Sequence, residues 1–228
     1  MCLAVFDESQ ILQACLSHGD DAGVLAGMKQ DGILVLHSTV SPSVIHRIAE
    51  HAVKRGMSVL DAPLTGGGEV AAREGKLTFM VGGEVSALER CRPVLQAMAT
   101  SILHVGASGS GSAAKIINNY LAVSHTLLVR EALRIGRKIG FAEETLLAIL
   151  NTGSVGSNWS TLNWARIKAQ EATYTTGRLG MAKSATKDMQ LAGTLVEEIG
   201  VAAPALTSMI ERVLPELMKN GVTDNGLD

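Results

Sequence analysis

The feature that most constrains the fold is a change of pattern near residue 106. Before it, short apolar runs alternate with stretches of helical periodicity, and after it only helical periodicity continues. The runs fall at residues 3–6, 33–36, 58–60, 77–81 and 102–105, with helical patterns at 9–16, 43–55 and 85–99. Short apolar runs of this kind suit buried strands, and strands joined by helices form mainly parallel sheets. We therefore predict an α/β sheet, with Pro42 at a helix start capped by Ser41.

The second half of the chain shows helical periodicity throughout. A glycine- and serine-rich joint at 106–112 precedes a long helical pattern at 112–139, which Gly140 ends. Further helical patterns fall at 142–150, 159–169, 184–199 and 205–219. We predict two domains, an α/β domain at 1–108 and an all-helical domain at 109–228.

Composition excludes several classes of protein. Hydrophobic residues make up 46% of the chain and charged residues 18%, which supports a large buried core. The net charge is −2 and no basic run exceeds two residues, so we expect no nucleic-acid partner. No apolar run approaches the roughly 18 residues of a membrane span. Three widely spaced cysteines without CxxC spacing indicate reduced thiols, no zinc site and a cytoplasmic or organelle-matrix location.

A glycine motif at 109–114 allows two interpretations. Gly109-Ser-Gly-Ser-Ala-Ala114 has the GxGxxA form of a dinucleotide fingerprint, and Glu131 lies about 20 residues further on. A fingerprint helix must lead back to a second parallel strand, but here the helical pattern runs for about seven turns and more helices follow. The alternative is a joint whose glycines let a ligand approach the helix N-terminus closely.

Lys115 and Asn119 are candidate catalytic residues. They lie four residues apart in the long helical pattern and therefore on one face of it. A lysine at such a position can simply extend along an apolar surface to reach water. Alternatively, a desolvated lysine beside a hydroxyl or carbonyl group would serve as a general acid or base.

Two further segments allow a functional and a plain structural interpretation. Residues 61–68 end a strand with a proline and a glycine cluster, where exposed amides of Gly66 and Gly67 could hold a carboxylate. The same residues could be an ordinary strand-to-helix turn. Lys187 and Asp188 could likewise be a surface pair on a helix.

Four segments, taken together and in order, resemble the conserved blocks of the β-hydroxyacid dehydrogenases. These proteins include 3-hydroxyisobutyrate dehydrogenase and are relatives of 6-phosphogluconate dehydrogenase. The segments are DAPLTGG at 61–67 continuing to GKLTFMVGG at 75–83, GSGSAAKIINN at 109–119, GSVGSNW at 153–159, and KDMQLA at 187–192. HSTVSP at 37–42 also resembles a family segment that lies beside the nicotinamide, so the similarity covers nearly the whole chain.

The resemblance implies an activity and a substrate site. Hydride would pass between the nicotinamide of NAD or NADP and a short 3-hydroxyacid or its semialdehyde. Lys115 would exchange the hydroxyl proton, and Asn119 would orient Lys115 and the reacting oxygen. Thr65, Gly66 and Gly67 would hold the substrate carboxylate. The N-terminus of the long helix also suits an anionic substrate.

The resemblance implies a cofactor site as well. Thr39 would contact the nicotinamide, and Lys187 and Asp188 would close the site around the cofactor. Domain 1–108 would then be part of a Rossmann-like domain and 109–228 a substrate and dimerisation domain. The choice between NAD and NADP stays open.

The helical half is also expected to self-associate. Its apolar residues are too numerous for one small helical cluster to bury, and the long helix is a common dimer element in the family. The apolar positions are Leu121, Leu127, Leu128, Leu133, Ile135, Leu146 and Leu150.

The chain departs from the family pattern in three places. Thr65 stands where serine is usual, and an aromatic residue expected near Gly180 is missing. Residue 1 matches about the fourth strand of the cofactor domain, and the family's opening strand, GxGxxG turn and helix have no counterpart. We therefore expect an N-terminally truncated form that binds dinucleotides weakly. The alternative is a non-catalytic remnant that serves only as a pocket and dimerisation module.

Overall fold

The structure is a computed structural model that describes residues 1–16, 23–66, 69–153, 156–173 and 178–220. It divides into two compact units, one from Met1 to Ile117 and one from Asn118 onward. The division between these units falls within the long helix α6 (Ser110–Lys138), because the first turns of α6 pack on the sheet of the first unit.

The first unit contains a mixed, mainly parallel sheet, so the predicted fold class is confirmed. Its strands in the described residues are β1 (Cys2–Leu3), β2 (Ile33–Leu36), β3 (Ser58–Asp61), β4 (Leu64–Thr65), β5 (Leu77–Gly82) and β6 (Ala99–Gly106). Strands β1, β2 and β3 are parallel to one another, as are β5 and β6.

An antiparallel junction joins the two parallel groups and was not predicted. Asp61 pairs with Gly82 in antiparallel register, and β4 continues this pairing along β5. The chain keeps contact with β5 between the two strands, because Met80 N donates to the carbonyl oxygen of Pro63 at 3.0 Å. A strand of two residues such as β4 is too short to produce a periodic sequence pattern.

Helices cover both faces of this sheet. They are α1 (Glu8–Leu16), α2 (Val24–Gly27), α3 (Pro42–Val53), α4 (Glu69–Arg73) and α5 (Val85–Gln96). Leu34 and Leu36 of β2 belong to a core with α1 and α3, whereas Val35 belongs to a core with α5. Alternate side chains of a strand point to opposite faces, so β2 is buried on both sides. Helix α3 begins at Pro42 as predicted, but the side chain of Ser41 does not cap it and instead contacts the Ser43 hydroxyl at 2.9 Å.

The described residues of the second unit form helices joined by short turns, with no strand among them. Besides α6 it contains α7 (Glu143–Thr152), α8 (Trp159–Leu162), α9 (Trp164–Ala172), α10 (Arg178–Glu198), α11 (Pro204–Ser208), a π-helix (Met209–Val213) and α12 (Leu214–Asn220). Two of the predicted single helices are therefore interrupted, at Asn163 and at Met209. Asn158 caps α8 because its side-chain oxygen accepts hydrogen bonds from the amides of Ser160 and Thr161, at 2.8 and 3.2 Å.

Candidate active site

The N-terminus of α6 is held by a buried carboxylate from the sheet. Asp61, at the end of β3, is completely buried. Its Oδ1 accepts a hydrogen bond from Gly109 N at 2.9 Å, and its Oδ2 accepts one from Ser112 N at 2.8 Å. An internal anion therefore satisfies amides that a helix N-terminus otherwise leaves free.

This arrangement corrects the predicted role of the glycines at 109–111. A Cβ on Gly111 would collide with the carbonyl oxygen of Asp61 and lie 2.5 Å from that of Met80. The glycine is thus required where the helix meets the sheet, and the amides predicted to receive an anionic ligand are already used by Asp61. The dinucleotide-fingerprint interpretation is also wrong, because only helices follow α6 in the described part of the chain.

Burial dominates the electrostatics of Asp61. Removal from water raises the pKa of its carboxyl group, and the amides of Gly109 and Ser112 oppose this shift because they stabilise the charged form. Asp61 was not among the predicted site residues. The available signal was its place at a strand end, directly before the Ala62–Pro63 turn.

His37 lies just beyond the carboxyl end of β2 and is held in one orientation. Its Nδ1 lies 2.8 Å from the carbonyl oxygen of Ala62, and its ring centre lies 5.2 Å from that of Phe79. Its Nε2 is buried without a hydrogen-bond partner in the described residues. Desolvation lowers the pKa of His37, opposed by the hydrogen bond to Ala62. The neutral ring that donates through Nδ1 therefore leaves Nε2 as a buried acceptor.

We expect His37 to make the stability of the protein depend on pH. Its folded-state pKa lies below the unfolded value of about 6.5, so the unfolded chain binds more protons as the pH falls through that value. The free energy of unfolding should consequently decrease below about pH 6.5, and His37→Gln should remove part of this decrease. Urea titrations between pH 5 and 8 measure how the free energy of unfolding depends on pH. His51→Gln is the control, since its exposed ring stays in water in both states; equal slopes for the two variants would contradict the prediction.

Three predicted ligand-binding residues lie in described parts of the first unit. Thr39 is half-buried between β2 and α3, and Thr65 is half-buried in β4, opposite Thr78. Gly66 is exposed and has a φ of +149°, a conformation that favours glycine. Gly67 lies outside the described residues.

Lys115 and Asn119 both lie on α6, one turn apart, as predicted. Both are half-buried. The side chain of Asn119 is fixed at both ends: its Nδ2 donates to Asp188 Oδ2 at 2.8 Å, and its Oδ1 accepts from Asn118 Nδ2 at 3.2 Å. Asn118 was not predicted to contribute.

The second unit brings three predicted residues together. Lys187 Nζ lies 3.1 Å from Asp188 Oδ1, while the other oxygen of Asp188 binds Asn119. The side chains of Lys187 and Asp188 are only 22% and 11% exposed, so they are not the solvent-exposed pair of the alternative interpretation. Sequence separation hides this cluster, because Asn119 and Asp188 are 69 residues apart.

The described residues contain no group of three or more His, Cys, Asp or Glu side chains able to hold a metal ion. No helix in the same residues is both long and apolar enough to cross a bilayer. The three cysteines are all free thiols, and burial raises the pKa of Cys15 to about 11.

Comparison with known proteins identifies both parts of the chain. Residues 2–106 match the family described as the NAD binding domain of 6-phosphogluconate dehydrogenase. Residues 109–226 match the family described as the NAD-binding domain of NADP-dependent 3-hydroxyisobutyrate dehydrogenase.

Individual relatives agree with these matches. An uncharacterised oxidoreductase of Synechocystis is 35% identical over 82% of this chain and 62% of its own length. The 3-hydroxyisobutyrate dehydrogenase of Pseudomonas aeruginosa is 35% identical over 82% of this chain and 63% of its own length, so the chain spans less than two thirds of either relative. The solved structure of Mycobacterium tuberculosis 3-hydroxyisobutyrate dehydrogenase with L-serine is 26% identical, with a TM-score of 0.74 over 96% of this chain and 74% of that one. The chain belongs to the β-hydroxyacid dehydrogenase family.

Proposed function

We propose that the protein is an NAD- or NADP-dependent dehydrogenase of short 3-hydroxyacids. The observation that carries the proposal is the fixed amide of Asn119, one helical turn beyond Lys115 and bound to the buried Asp188. An asparagine held at both ends presents its remaining hydrogen-bonding capacity in a fixed direction. That is the property required of a group that orients a reacting oxygen.

Lys115 is the proposed proton-transfer residue. In the oxidative direction the neutral amine takes the proton of the substrate hydroxyl as the carbonyl forms, and in reduction the ammonium returns it. The nicotinamide, when bound, supplies the hydride acceptor. Asn119 orients the reacting oxygen, and Asp188 holds Asn119 in place with Lys187 beside it.

Two features of the first unit fit a nicotinamide group. Thr39 follows the carboxyl end of β2, a parallel strand, and such ends are where α/β sheets bind ligands. His37, two residues earlier, has a buried acceptor nitrogen that lacks a partner in the described residues. A carboxamide NH₂ is a donor of the kind this nitrogen requires.

The proposed substrates carry a carboxylate and a 3-hydroxyl group. Support comes from the names of the relatives, which include 3-hydroxyisobutyrate dehydrogenases and one structure with L-serine. Thr65, Gly66 and Gly67 are the proposed carboxylate ligands. The hydroxyl of Thr65 replaces that of the usual serine and adds a methyl group, which favours the smaller of two competing acids.

The proposal is tested by turnover with 3-hydroxyisobutyrate and L-serine, each with NAD and with NADP. Two preparations are compared: the 228-residue chain, and the same chain preceded by a relative's glycine-rich β-α-β segment. Reduction of the nicotinamide, followed at 340 nm, is expected with at least one pair in the second preparation. Absence of turnover with every pair in both preparations would contradict the proposal and favour the non-catalytic remnant.

We propose further that the helical unit pairs with a second copy of itself. Leu121, Leu128 and Ile135 repeat every seven residues along α6, and each is about half exposed or more. An exposed apolar stripe of this length is typical of an interface. Of the other leucines considered for this role, Leu133 is buried in the unit's own core and does not contribute.

We expect sedimentation at micromolar concentration to give a dimer or larger assembly, and Leu128→Glu to shift it toward the monomer. A buried charge opposite an apolar partner is strongly unfavourable. Val94→Glu is a matched control, since Val94 is exposed to a similar degree on α5 of the first unit. A monomeric parent protein, or equal loss of assembly in both variants, would contradict the proposed interface.

A reducing compartment, the cytosol or an organelle matrix, is the proposed location. The three free thiols support it, because oxidising compartments favour paired cysteines. Fractionation of the native source tests this location.

A further inference from the structure

We infer that Asp61 is a positioning residue that sets the orientation of Lys115 by locking the start of α6 onto the sheet. The inference rests on the proposed catalytic role of Lys115. Asp61 lies on a different secondary-structure element and acts through Lys115, without touching the reacting atoms itself.

The two hydrogen bonds of Asp61 constrain the helix more than one bond would. Gly109 and Ser112 are three residues apart and bind different oxygens of the same carboxylate. A single bond would leave the first turn free to pivot, whereas two separated bonds fix both its rotation and its position along the axis. Lys115 follows Ser112 by three residues, less than one turn, so the same bonds set the direction in which its side chain leaves the helix.

Close packing around Asp61 restricts the position of the helix start on the sheet. Asp61 pairs with Gly82 where β3 meets β5, and a Cβ on Gly82 would lie 2.5 Å from Asp61 Oδ1. A Cβ on Gly111 would likewise lie 2.5 Å from the carbonyl oxygen of Met80, so the helix backbone lies directly against the sheet backbone. Backbone therefore faces the carboxylate directly, without side chains between them.

An ordinary helix cap would come from the residue just before the helix. Here the cap comes from a strand 48 residues earlier, so it fixes the helix relative to the sheet and not only its first turn. A local serine would stabilise α6 equally well as a helix. Only a group anchored in the sheet also determines where Lys115 points.

The test uses Asp61→Asn, which keeps the shape but places an NH₂ donor opposite one of the two amides. Asp31→Asn is the matched control, since Asp31 is exposed and paired with Arg90. Lysines are labelled by reductive ¹³C-methylation, and the Lys115 signal is assigned by its loss in Lys115→Arg. We expect Asp61→Asn to move the Lys115 resonance and to speed amide exchange at Gly109 and Ser112 at least about tenfold, with no change at either place in the control.

A second pair of variants covers the case in which Asp61→Asn fails to fold. Replacing Ser112 with lactic acid turns this amide into an ester, which removes the donor to Oδ2 without adding atoms, and Ser112→Ala keeps the amide with the same side chain. The ester variant should move the Lys115 resonance and the alanine variant should not. An unmoved Lys115 resonance in both Asp61→Asn and the ester variant would overturn the inference.

Kinetics separate this inference from the proposed function. Asp61→Asn should lower kcat by about 10²-fold, the cost of a misplaced catalytic group, with substrate KM changed by less than about threefold. A fall in kcat together with an unmoved Lys115 resonance would overturn the positioning role. A parent protein without turnover would refute the proposed function alone, since the resonance measurements would still decide how Asp61 acts on Lys115.

Discussion

Replacing Lys115 with alanine is expected to lower kcat by about 10²–10⁴, the usual contribution of a general acid or base. Without the amine, the proton of the substrate hydroxyl must pass to water as the carbonyl forms. Substrate KM should change much less, because the proposed carboxylate ligands, Thr65 and the following glycines, remain. Initial rates with the best substrate and cofactor pair measure both constants.

Lys138→Ala is the matched control, since Lys138 lies in the last turn of the same helix and is exposed. It should keep near-parental turnover. If Lys115→Ala retained kcat within a factor of about three, well short of the 10²-fold minimum for acid–base catalysis, Lys115 would not be the proton-transfer residue. Exogenous methylamine offers a further check, because a small amine can partly restore the rate only if the missing group is an amine.

Loss of the Arg130 side chain is expected to produce a large stability change in the helical unit. Arg130 Nη2 lies 2.5 Å from Glu171 Oε1, and the two side chains are 8% and 14% exposed. The guanidinium also lies over the Trp164 ring, 4.9 Å from its centre. Arg130→Met should lower the free energy of unfolding by about 3–5 kcal/mol, because it removes the buried cation that forms an ion pair with a mostly buried carboxylate. Urea denaturation followed by tryptophan fluorescence measures the change.

Lys168→Met is the control for this prediction. Lys168 forms an equally short ion pair with Glu143, but its side chain is 38% exposed, so its removal should cost less than about 1 kcal/mol. The double variant Arg130→Met, Glu171→Met should recover part of the loss, since no charge is then left buried. Similar losses for Arg130→Met and Lys168→Met would show that burial does not control the strength of these pairs.

Local sequence patterns were sufficient to predict those helices and strands that are determined by neighbouring residues. The apolar run at Ile33–Leu36 is β2, and Pro42 begins α3. The two-residue strand β4 and the short helices α2 and α4 were missed, because each is too short to show the periodicity used to detect its type of element. The π-helix at Met209–Val213 was missed because its residues continue a helical pattern without interruption.

The candidate site was predicted less completely, because it depends on contacts between distant residues. Lys115 and Asn119 share a helix, so their spacing alone placed them on one face. The resemblance suggested Asp188, but nothing in the spacing linked it to Asn119. Asp61 was overlooked because a carboxylate that caps a helix 48 residues away leaves no local pattern. For the same reason, glycines needed for close packing were interpreted as a site of ligand approach.

The seven-residue repeat of Leu121, Leu128 and Ile135 also carries geometric information. A straight α-helix has 3.6 residues per turn, so a stripe that recurs every seven residues drifts slowly around it. Helices that pair through positions recurring every seven residues wind around each other with a left-handed twist and cross at about 20°. The α6 helix of a second copy that pairs through this stripe would therefore lie nearly alongside α6 over several turns. The residue spacing sets the handedness of the crossing between the two helices.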